Sequence, residues 1–214
     1  MGIYGEDWSS YQPAMPNTSG LSFAFTKVTE GTGYVSPVWV QQRDHAKAAG
    51  LVWGAYHYPH MGNSVQAEAD YFLSQVNWQL GDLVVLDWEG YDASNQSVST
   101  NTQQAYKESW LRYVKSKLPY NPVGMYCDTS YWRNIDSTGY CQDFLWIADY
   151  VTAGQPRITA PWMFHQFSDT PVDRDYCHLG STAELKAWAL SFAGQSPTPT
   201  PPPFDQRKLD EEVR

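Results

Sequence analysis

The 214-residue chain predicts an α/β fold, a TIM-like β/α barrel that becomes irregular in its last third, where helices are short or missing. Three observations predict it. Apolar, β-branched runs alternate with segments of helical periodicity, the pattern of a parallel sheet or barrel. Acids recur at the ends of those runs, where α/β barrels keep their chemistry. After the fifth run the connections shorten and leave little room for helices.

Strands are predicted over 2–8, 22–29, 51–58, 82–88, 122–127, 144–149, 163–168 and 174–178. The fourth, within Asp82-Leu83-Val84-Val85-Leu86-Asp87-Trp88-Glu89, is a short apolar run of the kind buried on both faces. Helices are predicted over 38–49, 64–77 and 100–118. The first ends at Gly50, a suitable C-terminal cap; the third follows Ser99 and Thr100 and stops before Pro119. A last helix over 182–192 follows Ser181 and Thr182 and sets Leu185, Trp188, Ala189 and Phe192 at helical spacing. The composition then changes abruptly to Ser196-Pro197-Thr198-Pro199-Thr200-Pro201-Pro202-Pro203, an extended polyproline-type stretch. The expected organisation is one domain over 1–194, a Pro/Thr-rich linker over 195–203 and a charged tail over 204–214. That tail is too short to fold alone and reads as a simple tail or the stub of a missing C-terminal module.

A formal net charge of −9 with 14 basic residues argues against nucleic acid, or stable association with a membrane, as the main partnership, since both reward clustered Lys and Arg. The 10 Trp, 15 Tyr and 8 Phe suit a packed core or stacking against sugar rings. Cys127, Cys141 and Cys177 are widely spaced without a Cys-x-x-Cys pair, which disfavours a zinc site or disulfide framework. Free buried thiols are expected, and one bridge stays open. The N-terminus lacks a basic segment followed by an apolar stretch, so no signal peptide is expected, and no apolar run approaches membrane-spanning length. There is no Gly-x-Ser-x-Gly elbow, and Gly31-Thr32-Gly33 lacks the rest of a dinucleotide fingerprint. No cofactor is assigned. His57 and His60 have the spacing of a metal pair but no third convergent ligand, so no metal is assigned either; His45 is expected on the surface of its helix.

Asp87 and Glu89 stand at i and i+2, which on a strand places both on one face. Such a pair suits glycoside hydrolysis, where one carboxyl donates a proton while another supports positive charge building on the sugar. The bland alternative is a solvated strand end. Further acids sit at predicted strand edges: Asp7, Glu30, Asp149 and Asp173. Their local motifs run in order from Asp7-Trp8-Ser9-Ser10-Tyr11-Gln12 through Phe25-Thr26-Lys27-Val28-Thr29-Glu30-Gly31 to Gly54-Ala55-Tyr56-His57-Tyr58. Asp87-Trp88-Glu89, Gly124-Met125-Tyr126-Cys127 and Leu145-Trp146-Ile147-Ala148-Asp149-Tyr150 follow. His165-Gln166-Phe167-Ser168 and Val172-Asp173-Arg174-Asp175 close the series. Together they resemble the family 25 glycoside hydrolases, the muramidases often called Chalaropsis-type lysozymes. The resemblance covers roughly residues 3–193. It departs at His165, where the family usually has Trp, and at Asp175, where the family pattern Val-Asp-x-Asn has Asn.

The resemblance implies that Glu89 is the general acid, its pKa raised by burial beside Trp88 and by nearby acids. Asp87, Asp7 and Asp173 would complete the catalytic group and shape the opposite side of the site. Asp87 would orient the substrate's own N-acetyl group, with net retention, or an acid would activate water directly, with inversion; the sequence leaves both open. Lys27, Glu30, Tyr34, Tyr56, Tyr126, Tyr150 and Gln166 are the expected substrate-binding residues, with Lys27 and Glu30 equally readable as a structural ion pair. The implied activity is hydrolysis of the β-1,4 bond between N-acetylmuramic acid and N-acetylglucosamine in bacterial peptidoglycan, by a monomer. The expected setting is a phage endolysin made in the host cytoplasm that reaches the wall through a membrane lesion, with an exported bacterial autolysin as the rival. Two other function classes stay open: a non-catalytic cell-wall carbohydrate-binding protein on the same scaffold, and a hydrolase of chitin-like polysaccharides.

Overall fold

Each predicted apolar run becomes a strand whose side chains point alternately into and out of a closed barrel. A computed structural model describes residues 2–194; the linker assigned to 195–203 and the tail assigned to 204–214 lie outside the described residues. The strands are β1 (Ile3–Trp8), β2 (Phe23–Glu30), β3 (Tyr34–Val35), β4 (Val52–Tyr58), β5 (Leu83–Asp87), β6 (Val123–Asp128), β7 (Phe144–Ala148), β8 (Phe164–Ser168) and β9 (Arg174–Cys177). Their order is β1-β9-β8-β7-β6-β5-β4-β2-β3, and pairing of β1 with β2 closes the ring. The TIM-like expectation holds, with a mixed rather than wholly parallel barrel. Strands β1, β2 and β4 to β8 run parallel, whereas β9 is antiparallel to both β8 and β1. The alternating pattern predicts a parallel strand there. The short connection over 169–173 cannot hold the crossover that parallel pairing needs, so the chain turns straight back. The unpredicted β3 is a two-residue antiparallel addition to β2, too short to carry a periodic signal.

The predicted helices appear as α1 (Trp39–Ala48) and α2 (Val65–Gln75), then, past a one-turn α3 (Ala93–Gln96), as α4 (Thr100–Lys117). A brief α5 (Thr129–Asn134) follows β6, and α6 (Thr182–Ser191) follows β9. Side-chain caps set three of the starts: Ser64, Ser99 and Ser181 hydroxyls accept from the backbone N–H of Ala67, Thr102 and Glu184. Gly50 follows α1 with φ at +78°. His45 is half-buried rather than superficial, its Nε2 lying 2.8 Å from the Pro16 carbonyl oxygen, because the 9–20 loop folds back over α1.

Two apolar layers result. The outer one, between barrel and helices, includes Trp53, Phe72, Trp88, Trp110 and Met125. The inner one fills the barrel with Phe23, Phe25, Leu83, Val85, Phe144, Trp146 and Phe164, and Leu185 and Ala189 of α6 pack against its lower end. Most of the aromatic surplus is therefore core. Cys127 and Cys177 are buried, Cys141 is partly buried, and all three are free thiols.

The inner layer depends on glycine at one tight point. A Cβ at Gly54 would lie 2.3 Å from the ring of Phe25, which is itself stacked on Trp146 with centroids 4.2 Å apart. Replacing Gly54 with Ala is expected to lower stability by about 1–3 kcal/mol, as overpacking of a close-packed core does. Urea unfolding should show this as a lower midpoint with an unchanged slope.

Candidate active site

Seven parallel strands bring their C-terminal ends to one mouth of the barrel, and the reversed β9 brings its N-terminal end there too. Inward positions near that mouth carry Asp7, Tyr56, Asp87, Tyr126, Gln166 and Asp175, with Glu89, Asp128, Tyr150 and Asp173 one step further out. The lower layers are apolar, so these carboxyls rest on a dry floor.

The segment carrying Asp87 and Glu89 is held from its outer side. Trp88 donates its backbone N–H to the Tyr126 carbonyl at 2.8 Å. Its indole points away from the mouth, because successive strand residues alternate. There Nε1 donates to the Gln103 carbonyl at 3.1 Å, Lys107 Nζ sits 4.9 Å from the ring and Tyr131 packs edge-on. A Cβ at Gly90 would lie 2.2 Å from the Tyr131 hydroxyl, so the chain must pass there without a side chain. Trp88 thus anchors the acid pair and does not wall Glu89, a correction to the sequence reading. Glu89 is nevertheless pushed up to about 7, first by burial and then by Asp128 and Asp92, against the opposing charge of Lys27. Asp87 is raised well above the carboxylate range by burial and by Glu89, again opposed by Lys27. Its Oδ1 is buried with no hydrogen-bond partner.

Gln166 links the far side. Its Oε1 accepts from Tyr126 at 2.8 Å and from Tyr150 at 3.3 Å, and its Nε2 donates to Asp7 Oδ2 at 2.7 Å. Asp7 is buried and raised well above the usual range by that burial and by the charges of Asp175 and Asp173. Asp173 is half-buried and pushed up to about 6 by desolvation and by Asp169. Tyr56, buried on β4, is raised well above its ordinary value first by that burial and then by the charges of Asp7, Asp87, Asp173 and Glu89.

Lys27 and Glu30 form an ion pair at 2.6 Å, and Glu30 Oε1 lies 3.3 Å from His60 Nε2. Although burial pushes Glu30 up, the Lys27 hydrogen bond and charge hold it below its ordinary value. The pair is structural in geometry, yet Lys27 also acts on both Asp87 and Glu89. Tyr34, paired across β2 and β3 with Glu30, lies on an exposed lip where its hydroxyl donates to Ser10 Oγ at 3.1 Å and its ring lies 5.8 Å from Lys27 Nζ.

A cleft of about 430 Å³ opens beside Glu89, bounded by Tyr91, Tyr126, Asp128, Asp149, Tyr150 and Arg157. Tyr91, Asp128 and Arg157 are absent from the sequence-based site. Asp128 had a legible signal: it ends β6, and its Oδ1 caps α5 by accepting from Ser130 and Tyr131 N–H groups. Tyr91, whose hydroxyl donates to Asp128, and Arg157 arrive on loops without a motif. Asp149, read as a strand-end acid, accepts from the Arg157 backbone N–H at 2.7 Å and from its Nε at 3.0 Å. This pairing holds its carboxyl below the usual range and makes it part of the wall. His57 is fully buried with its ring nitrogens 2.8 Å from Thr29 Oγ1 and 3.0 Å from Glu68 Oε2, so neither faces the mouth. A second hollow of about 240 Å³ lies at the opposite end of the barrel between Trp53, Gly81 and Leu190, and none of the predicted site residues lines it.

Comparison with known proteins bears directly on this arrangement, because the model of the glycosyl hydrolases family 25 matches residues 5–176. The chain belongs to that family. As a family 25 glycoside hydrolase it is 29% identical to the uncharacterized protein YegX of Escherichia coli strain K12, over 85% of this chain and 68% of that protein. It spans 58% of YegX in two other strains of the same species. Lysozyme M1 of Streptomyces globisporus is 26% identical over 90% of this chain and 73% of its own length. Among solved structures, a muramidase from Trichobolus zukalii superposes with a TM-score of 0.76 at 27% identity, covering 88% of this chain and 99% of that one. At the two departures from the family pattern, this hydrolase keeps both side chains buried. His165 Nε2 donates to the Asp149 carbonyl at 2.7 Å while Nδ1 accepts from Gly154 N–H at 3.1 Å, and Asp175 lies against Asp7.

The charge of Lys27 opposes the upward shift of both Asp87 and Glu89. Lys27→Met should therefore move the titration midpoint of Glu89 above its value of about 7, read by carbon-13 NMR of the side-chain carboxyl.

Proposed function

We propose that this family 25 hydrolase is an N-acetylmuramidase that cleaves the β-1,4 bond between N-acetylmuramic acid and N-acetylglucosamine in bacterial peptidoglycan. One observation carries the reading: Glu89, its pKa raised to about 7, stands two residues from Asp87, whose buried Oδ1 lacks a donor. A bound acetamido group offers the N–H that Asp87 lacks. Accepting it favours the ionised form of Asp87 and leaves the proton on Glu89. Glu89 then donates that proton to the departing glycosidic oxygen as the C1–O bond breaks. The acetamido carbonyl oxygen attacks C1 from the other face, and water, deprotonated by Glu89, later opens the cyclic intermediate with net retention. Asp7 and Asp173, on the far side of the mouth, stabilise in this reading the positive charge that develops meanwhile, and Tyr126, Tyr150 and the cleft beyond them supply faces for sugar rings. The relatives named lysozyme and muramidase support the same substrate.

The proposed setting is a phage endolysin that acts on the wall from the cytoplasmic side once the membrane is breached. Lysis of expressing cells only after permeabilisation supports this setting; lysis of intact expressing cells opposes it.

Purified walls treated with the chain should lose turbidity and yield new reducing ends that borohydride converts to reduced N-acetylmuramic acid, identified by mass spectrometry. Glu89→Gln should lower that rate by about 10²–10⁴-fold, the usual contribution of a general acid. Binding without new ends would move the protein to the non-catalytic class, and release of soluble chito-oligosaccharides from chitin would favour the third reading. Because only protonated Glu89 can donate, activity should fall as pH rises through about 7.

A further inference from the structure

Arg157 has no part in the reaction just described, yet it is the one cation among the described residues that line the cleft beside Glu89. Asp149 holds it. The Arg157 backbone N–H donates to Asp149 Oδ2 at 2.7 Å, its Nε donates to both carboxylate oxygens at 3.0 and 3.2 Å, and its Nη2 donates to Oδ1. A guanidinium carries five N–H donors in a fixed fork, and this grip uses only the edge shared by Nε and Nη2. The outer edge, formed by Nη1 and the second Nη2 proton, has no partner among the described residues. The Arg157 side chain is 65% exposed and that of Asp149 only 2%. The pair is thus presented unevenly, with its negative end sealed in the wall and its positive end at the surface. From α5, the exposed Arg133 donates through Nη2 to the Arg157 carbonyl, which ties the same stretch of loop from a second side.

The other charged groups lining the cleft are Glu89, Asp128 and Asp149 itself. Asp128 is fully engaged, its Oδ1 by the N–H groups of Ser130 and Tyr131 and its Oδ2 by the Tyr91 hydroxyl. An anion entering this cleft finds a countercharge only at Arg157. Peptidoglycan brings such an anion and chitin does not, because every second sugar carries a lactyl ether that ends in a carboxylate or in a stem peptide with carboxylates of its own.

We propose that the outer edge of Arg157 is a subsite for a carboxylate on the muramyl side branch and sets a preference for peptidoglycan over uncharged β-1,4 glycans. The proposal deepens the muramidase reading and rests on it. A planar two-donor edge matches a carboxylate in a way that an ammonium does not. Because Asp149 already holds the guanidinium, little side-chain freedom remains to be lost on binding.

The test reads affinity rather than turnover. The full chain carrying Glu89→Gln, with and without Arg157→Gln, is titrated calorimetrically with three β-1,4 oligosaccharides of equal length. One alternates N-acetylglucosamine with N-acetylmuramic acid bearing its free lactyl carboxylate, the second bears stem peptides on that carboxyl, and the third is a chito-oligosaccharide. Arg157→Gln should weaken a carboxylate-bearing ligand by about five- to tenfold, and the gap should narrow as salt is raised. The chito-oligosaccharide should stay within about twofold, which also shows that the variant is folded. Loss on the bare glycan assigns the subsite to the lactyl carboxylate, and loss on the peptide-bearing one assigns it to the stem. Equal loss on all three ligands, or no loss on either carboxylate-bearing one, overturns the proposal. Carboxylate binding that depends on Arg157, together with no new reducing ends from walls treated with the parent chain, would keep the subsite and sink the muramidase reading. Should Arg157→Gln not fold, Arg157→Lys leaves Asp149 a countercharge but offers no second edge; it should lose about threefold on the carboxylate-bearing ligand alone, and full retention overturns the proposal.

Discussion

Carboxyls crowded into one mouth of a barrel, most of them buried, set the terms for this protein. Asp7, Asp87, Glu89, Asp173 and Asp175 all have pKa values raised by burial and, for most, by one another. In that environment a carboxyl keeps its proton unless a donor or a cation stabilises the charge. The site therefore holds its protons to higher pH than free carboxyls would, which is what a general acid requires. Lys27 is the cation that moderates it, and Lys27 is itself tied to Glu30 at 2.6 Å, so the acids feel a reduced share of its charge.

The scaffold pays for this crowding with interactions placed outside the mouth. Trp88 faces the outer layer, where the Gln103 carbonyl, Lys107 and Tyr131 hold it; its two flanking acids are thereby fixed without being neutralised. Gln166 does the equivalent on the far side, joining Tyr126 and Tyr150 to Asp7 through both ends of one amide. Cations that would quench the acids are committed elsewhere. Arg157 closes on Asp149 at the cleft wall, and Lys107 is buried against Asp136 at 2.8 Å. Strain between like charges is tolerated at functional sites when the surroundings over-determine the geometry, and these contacts supply that.

Much of the frame was legible because its signals are local. The run from Leu83 to Asp87 reads as a buried strand from its length and β-branched residues, and Ser99, Ser181 and Gly50 mark helix ends by side-chain or backbone chemistry that does not depend on the rest of the fold. The i, i+2 spacing of Asp87 and Glu89 placed them on one face for the same reason. Elements lacking a local signal were missed: β3 has two residues, and α3 and α5 are too short for a periodic face. Tyr34 illustrates the limit at the site, since its position just past a strand end suggested the groove while the turn into β3 carries it to the lip.

By itself the sequence determined the order of the elements, the alternation that sends Asp7, Asp87, Tyr126 and Gln166 inward, and the family to which the chain belongs. Periodicity and motif order suffice for these because they depend on neighbours along the chain. Only the tertiary structure decided which way β9 runs. Its antiparallel pairing brings Asp173 and Asp175 to the catalytic mouth; a parallel ninth strand would have sent them to the opposite end. Likewise only the closed barrel placed Asp128 beside Glu89, Arg157 on Asp149 and Asp175 against Asp7. Proton affinity in such a site depends on burial and on charges distant in sequence, and those exist only once the ring of strands has closed.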